Sequence, residues 1–392
     1  MHTTVLKAVE SELGCALESL GSSALLSRPR CAILVSRGER TPEPLSPQLL
    51  EALGAARAIS ARGAVLVCGA GRVIWDAALL ACRESKGSAL VVLAQRPDDA
   101  ELRELHSFLP ADRLLVWPQF ERTKLLTPTM LLVRDMLVGL LAESAVAIQV
   151  RANGNMAAVC AEMRKRGGQI EERILQPQAK IKTAPRAQAI ESKSAAGVAD
   201  IESFEHRLTH FTRAPDGAWP GEAHVDYLRW LCGAERSEMR DGFAALKRIL
   251  SERRIRACGR LIADKEPMVC FTAADPRELL KRRIWRKGLR RWTVSSYALS
   301  FPARALEWIG VQPVKYIDAE VSHYDVAPYF TQPSASAGVN WEFEAEWRLQ
   351  GDFDFSHLAA KDIVALAPTH METERLEREF GVRTALLNFP EK

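Results

Sequence analysis

No two cysteines in this chain are spaced as CxxC, although eight are present: Cys15, Cys31, Cys68, Cys82, Cys160, Cys232, Cys258 and Cys270. Their scatter argues against a zinc ribbon and a disulfide framework, and the thiols read as small core residues in a reducing compartment. Nor is there an uninterrupted apolar run of about 18 residues, the length that a membrane-crossing helix needs. The best candidate, residues 130–150, is broken by Arg134, Asp135 and Glu143. Residues 1–19 carry Glu10, Glu12 and Glu18 and lack the apolar stretch of a secretory signal, so a cytoplasmic protein with no membrane partner is expected. Excess charge is scarce too: 53 Lys plus Arg against 49 Asp plus Glu leave a net +4, too little for bulk attraction to nucleic acid. No internal repeat marks a solenoid. What is there is a chain of 392 residues, 47% hydrophobic and 26% charged, long enough for two or three domains of about 100–200 residues each.

The first half alternates short β-branched runs with longer amphipathic ones. CAILVS, AVLVCG, ALVVLA, LLVWP and AVAIQV are separated and followed by helical stretches at 47–62, 73–85, 98–108, 121–142 and 156–166. Continuous apolar strands alternating with helices predict an α/β domain: a Rossmann-like parallel sheet with helices on both faces, over residues 1–175. Residues 176–201 turn to Ala, Ser, Lys, Gln and Pro without apolar period, as a linker does. Residues 202–392 mix helical segments at 223–233 and 240–256 with strand-like ones at 268–272, 292–301, 311–317, 341–350 and 363–367, an α+β domain.

In the first domain the second strand runs through Val67-Cys68-Gly69-Ala70-Gly71-Arg72 into a helix. Glycines there let a phosphate approach the backbone, and a helix N-terminus offers unpaired N–H groups. The third glycine of a dinucleotide fingerprint is missing, with Ile74 in its place, and no acid follows the next strand, so an ordinary NAD oxidoreductase is disfavoured. Ser36-Arg37, Gly69-Ala70-Gly71 with Trp75-Asp76, Arg134-Asp135, and Asn153-Gly154-Asn155-Met156 together resemble the Rossmann-like superfamily of DNA-processing (recombination-mediator) proteins and the Lonely-Guy nucleotide hydrolases. The resemblance covers residues 30–174 and implies a phosphate-rich partner, a nucleotide or single-stranded nucleic acid. The hydrolase signature PGGxGTxxE is not matched, which puts hydrolysis in doubt. By role, Arg37 and Arg134 would pair phosphate oxygens, and Ser36, Gly69, Gly71 and Gly154 would line the nucleotide site. The competing assignments are an ion pair of either arginine with Asp135 or Glu39, and plain tight turns at the glycines.

In the second domain Trp341-Glu342-Phe343-Glu344-Ala345-Glu346-Trp347-Arg348 alternates strictly between apolar and charged. As a strand it would set three glutamates on one face, either against neighbouring arginines or around a cationic or hydroxyl-bearing ligand. Leu208-Thr209-His210-Phe211-Thr212-Arg213, Val269-Cys270-Phe271-Thr272 and the glutamate strand resemble, in order, the scaffold of ADP-ribosyltransferase-like domains. That resemblance implies NAD as substrate, transferred or hydrolysed, with Glu346 or Glu344 as the catalytic carboxylate, His210 as ribose contact and Thr272 as brace. An oxocarbenium-like transition state is stabilised by a fixed negative charge, and Tyr297 is a candidate for stacking on a flat ring. CFTAADPREL with WEFEAEWRLQGD also resembles an uncharacterised bacterial family found among phage-defence proteins. His206 and His210 stand at i, i+4, but no third ligand is placed and HExxH is absent, so no metal is expected. Asp352 and Asp354 are a weak divalent-ion motif.

Between Arg277 and Trp292 one acid, Glu278, faces eight basic residues, among them Arg282, Arg283 and Arg286. If helical, the stretch carries charge nearly all round. Interleaved with Trp285 and Trp292, it suits a nucleic-acid backbone plus a stacking ring, or it neutralises the glutamate row. The expectation is thus a nucleotide- or nucleic-acid-sensing domain tethered to an ADP-ribosyltransferase-like effector, self-association being left open. The alternative is a non-enzymatic DNA- or RNA-binding protein.

Overall fold

The computed structural model describes residues 2–36, 44–123, 126–173, 203–215, 217–233, 239–259, 262, 265–286, 291–317, 326–336 and 339–387. Arg37 and the linker 176–201 lie outside them. The chain forms two compact units: Met1–Lys180 with Asp216–Ser237, and Ile181–Pro215 with Glu238–Lys392. The helix expected at 223–233 forms as His224–Leu231 but belongs to the first unit, so the second half of the sequence is not one continuous domain. No helix among the described residues is long and apolar enough to cross a membrane.

The first unit runs α1 (His2–Leu13), β1 (Leu17–Gly21), β2 (Arg30–Val35), α2 (Pro47–Ala61), β3 (Val65–Gly69), α3 (Val73–Glu84), β4 (Ser88–Val92), α4 (Asp99–Phe108), β5 (Arg113–Pro118), α5 (Pro128–Leu140), β6 (Ser144–Ile148), α6 (Asn155–Lys165) and β7 (Gln169–Arg173), joined later by α7 (His224–Leu231). The sheet order is β1-β5-β4-β3-β2-β6-β7, parallel throughout except for β1. This is the expected doubly wound α/β architecture, and β3 and β4 are buried at every position because helices cover both faces. Helix α3 is apolar nearly all round, and every residue from Ile74 to Cys82 is buried, as a helix packed on more than one side requires. Helix α5 starts at Pro128, later than expected at 121. The Thr127 hydroxyl there accepts from Met130 N (3.2 Å), and proline fixes the first turn.

The second unit contains β8 (Arg207–Thr212), α8 (Gly242–Glu252), β9 (Met268–Thr272), α9 (Pro276–Lys281), β10 (Tyr297–Pro302), α10 (Ala303–Trp308), β11 (Gln312–Pro313), β12 (Glu346–Gln350), β13 (Val364–Ala367), α11 (His370–Phe380) and β14 (Arg383–Leu386). The order β11-β12-β9-β8-β10-β13-β14 is antiparallel up to the final parallel pair. Register assigns the faces. Thr272 pairs with Glu346 and with Thr209, Cys270 with Arg348, and His210 with Leu299. Side chains alternate, so Thr209, Cys270, Thr272, Glu346 and Arg348 share one face, while Leu208, His210, Phe271 and Leu299 occupy the other. One core, containing Leu208, Phe271, Leu299 and Phe301, packs under α8, α10 and α11. A smaller one, with Ala298, Val364 and Leu366, packs under Leu279 and Leu280 of α9.

Candidate functional site

The strand order of the first unit reverses between β2 and β6, and their carboxyl ends open the crevice where such sheets bind ligands. Ser36, buried after β2, accepts a hydrogen bond on Oγ from Arg151 N (2.8 Å). A methyl added to Gly154 would stand 3.8 Å from Arg151 Cβ and 3.9 Å from Ser36 Oγ, so the three residues converge. Gly154 precedes α6, whose N-terminus has no side-chain cap. The guanidinium of exposed Arg151 makes no ion pair among the described residues.

The other residues expected to hold phosphate are committed elsewhere. Gly71 N donates to Asp76 Oδ1 (2.9 Å) and Gly154 N to Arg151 O (3.1 Å), so neither amide is open. Gly71 has φ +82, which explains the glycine by the turn itself. Gly69 is required by packing, because an added methyl would overlap the buried Trp75 ring. Arg134 is buried on the wholly buried Asp135 (2.8 Å) and donates to Ala70 O (3.2 Å). Arg72 holds the other Asp135 oxygen at 2.7 Å, and both guanidiniums approach the Trp75 ring, at 4.5 and 5.1 Å. The ion-pair alternative for Arg134 is therefore the one that the geometry realises.

In the second unit the expected strand at 341–350 is interrupted. Glu342–Glu344 forms a 3-10 turn, Ala345 is left-handed (φ 41), and only Glu346–Gln350 is strand. Glu346 and Arg348 form a bidentate pair (2.9 and 2.9 Å), and Arg348 also donates to Tyr329 O (2.7 Å), Thr331 O (3.2 Å) and Gln332 Oε1 (2.7 Å). All five of its N–H groups are thereby used. The Thr272 hydroxyl donates to Glu344 O. The half-buried carboxyl of Glu344 has no hydrogen-bond partner among the described residues. Burial, then the charge of Glu346, push its pKa up to about 7 against the opposing pull of Arg286 and Arg348.

Glu344, Glu346 and Thr272 are thus brought together, whereas His210 lies on the opposite face. There its Nδ1–H donates to Cys270 O (2.8 Å) and its ring meets Phe271 edge-on. Burial, with the charge of Arg213, lowers the His210 pKa to about 4, so the ring is neutral at physiological pH. The helical i, i+4 arrangement with His206 falls away, because Arg207–Thr212 is a strand. The Tyr297 hydroxyl donates to Glu372 Oε1 (2.8 Å). Asp352 Oδ1 accepts from Ala257 N (2.8 Å), and Asp354 pairs with Arg254 (2.9 Å), so neither aspartate is spare for a cation.

The basic stretch is not one helix: α9 ends at Lys281, and Trp285–Arg286 pairs with Arg291–Trp292 as an antiparallel ladder. Residues 287–290 lie outside the described residues. The ladder sets Trp285 edge-on to Trp292 at 5.4 Å, and Arg283 stacks on Trp292 at 4.2 Å. Arg282 and Arg286 are exposed and make no ion pair among the described residues. Arg286 lies over Trp341 at 5.3 Å.

No protein-family model matches the chain. No curated protein matches it either. Among solved structures, DNA processing protein A from Streptococcus pneumoniae is similar at TM-score 0.33 and 17% identity, over 42% of this chain and 56% of that one. DNA processing protein A from Helicobacter pylori, described for its single-stranded DNA binding mode, is similar at 0.31 and 18%, over 42% and 73%. The molybdenum cofactor carrier protein of Chlamydomonas reinhardtii gives 0.26 and 19%, over 37% and 76%. The match thus spans little more than half of the Streptococcus chain, and function has to be argued from this chain's own residues.

Two groups that sequence reasoning passed over matter most. Arg151 stands three residues past the end of β6, at the reversal of strand order, a position visible only once β2 and β6 are known to be neighbours. His224, on α7, reaches Asp76 Oδ2 at 3.2 Å.

Proposed function

We propose that the protein binds single-stranded nucleic acid. The observation that carries this is the Trp285–Trp292 ladder, with exposed Arg282 and Arg286 beside it and no carboxylate in ion-pair reach of either among the described residues. Aromatic faces take bases of any identity, and exposed arginines outside any ion pair take the phosphates between them. Arg151 in the first unit, beside Ser36 and the uncapped start of α6, is a further candidate phosphate contact.

Fluorescence anisotropy with labelled oligothymidylate tests this. Affinity is expected to fall with salt at a log–log slope of about −0.7 per phosphate contact, and Trp285→Ala to remove about 1–3 kcal/mol of binding. Charge reversal at Arg282 and Arg286 that left affinity and slope unchanged would overturn the proposal, and full competition by a mononucleotide would narrow the ligand to a nucleotide.

A second proposal, transfer or hydrolysis from NAD, has one observation in its favour. Glu344 holds an unpartnered carboxyl at about 7, the state of a general acid at neutral pH. Against it stand the bidentate pairing of Glu346 with Arg348 and the placement of His210 across the sheet. Release of nicotinamide that disappears in Glu344→Gln would favour it; no release would end it.

A further inference from the structure

Helix α7 follows a stretch of chain that belongs to the second unit, yet it packs on α3 and α4 of the first. Its apolar face, Val225, Tyr227, Leu228 and Leu231, is buried. At its end Leu45 N donates to Leu231 O (3.4 Å), and at its start His224 is the polar contact. His224 Nε2 lies 3.2 Å from Asp76 Oδ2, and its ring meets Phe108 edge-on at 5.5 Å. Asp76 is itself buried, and its other oxygen accepts from Gly71 N at 2.9 Å. One carboxylate therefore holds both the helix and the left-handed glycine of the turn that follows β3.

We propose that His224 and Asp76 form a proton-controlled latch that seats α7 on the first unit and, through the same carboxylate, sets the turn at residues 69–72. An aspartate fixed by a backbone N–H on one side presents its second oxygen in a set direction, so a histidinium opposite adds the attraction of an ion pair to the hydrogen bond that a neutral Nε2–H ring still makes. The charged groups facing His224 are Asp76 on α3 and Glu104 on α4. Burial works against protonation of His224, but the hydrogen bond to Asp76 and the charges of Asp76 and Glu104 outweigh it and raise its pKa above the usual value. A raised folded pKa stabilises the protonated form. The latch thus contributes fully below the ordinary histidine pKa of about 6.5 and weakens as pH rises through the higher folded value. His224 acts through Asp76 on the turn, as a positioning residue.

The test needs no nucleic acid, so its outcome is separate from that of the binding proposal. In the full chain, an NMR titration of the His224 ring is expected to show a midpoint above about 6.5. In Asp76→Asn, which keeps an acceptor for Gly71 N but removes the charge, the midpoint is expected below that value. Hydrogen exchange, corrected for its intrinsic pH dependence, is expected to show a several-fold loss of protection in α7 and residues 69–72 between pH of about 6 and about 9. His224→Gln should flatten that profile. A native midpoint at or below about 6.5, or the same exchange profile in His224→Gln as in the native chain, would overturn the latch. If either variant fails to fold, the native titration decides alone.

Discussion

Asp135 is a buried charge that the first unit should not lose without cost. Its side chain is wholly buried, with Arg134 at 2.8 Å and Arg72 at 2.7 Å on its two oxygens. Asp135→Ala takes the ion pair from both cations, but not at equal cost. The Arg72 side chain is 22% exposed and can turn to water, whereas that of Arg134 is 4% exposed and cannot. Arg134 keeps its bond to Ala70 O and its place beside the Trp75 ring, which offsets a part of the loss. Breaking a buried pair from one side costs about 3–5 kcal/mol, and one stranded cation rather than two sets the expectation at the low end, about 3 kcal/mol. For a unit of this size each kcal/mol moves the midpoint by about 2–4 °C, so a fall of about 6–12 °C is expected. Calorimetry on the full chain measures it, with hydrogen exchange assigning the shifted transition to the first unit. The double change Arg134→Met with Asp135→Leu removes both charges and should recover most of the loss. A fall below about 1 kcal/mol for Asp135→Ala, or a double variant no more stable than the single one, would refute the reasoning.

Three further outcomes are expected. Gly69→Ala should cost about 1–3 kcal/mol, because the new methyl forces Trp75 from its bond to Ile33 O (2.9 Å); unchanged denaturant midpoints would show the ring free to move. Glu344 has a folded pKa of about 7 against an ordinary 4.5, so its ionised form lowers stability, an effect absent below the lower value and complete above the higher. Glu344→Gln should therefore gain on the native chain as pH rises from about 4.5 to about 7, by less than about 3 kcal/mol given its partial exposure; urea titrations at both ends of that range measure the gain, and a constant difference would contradict it. Arg151→Glu should leave stability within about 0.5 kcal/mol while flattening the salt slope of oligonucleotide binding by about 0.7 or more; an unchanged slope would remove the crevice between β2 and β6 from the interface.

The central strands of the first unit were legible because burial on both faces leaves a continuous apolar run, as in VLVCG and SALVV. The edge strands LESLG and QIEER carry no such run, since each is largely exposed, and nothing local marks them. In the second unit the alternation at 341–348 misled for a definite reason. A strand keeps its phase only while every residue is extended, and Ala345 at φ 41 breaks it. Phe343 and Trp347, which strict alternation assigns to one face, pack instead against different cores. The faces of β8 and β9 likewise follow from long-range register, which is why Thr272 and Glu346 meet while His210 does not join them.

The same limit governs the binding residues. A sequence shows where arginines stand, but whether one is available depends on its neighbours in space. Arg134 and Arg151 both belong to segments flanking β6, and only the fold separates them: the first is turned inward onto Asp135, and the second faces outward with backbone and a serine hydroxyl beside it. Helix α7 poses the problem at a larger scale. Its buried Val225, Leu228 and Leu231 announce an amphipathic helix, yet no periodicity says which sheet it covers. That is decided by partners far away in sequence, the apolar residues of the first unit's core and the Asp76 carboxylate that His224 meets. A buried carboxylate with one oxygen on a glycine amide needs a donor for the other, and the chain supplies it by returning to the first unit.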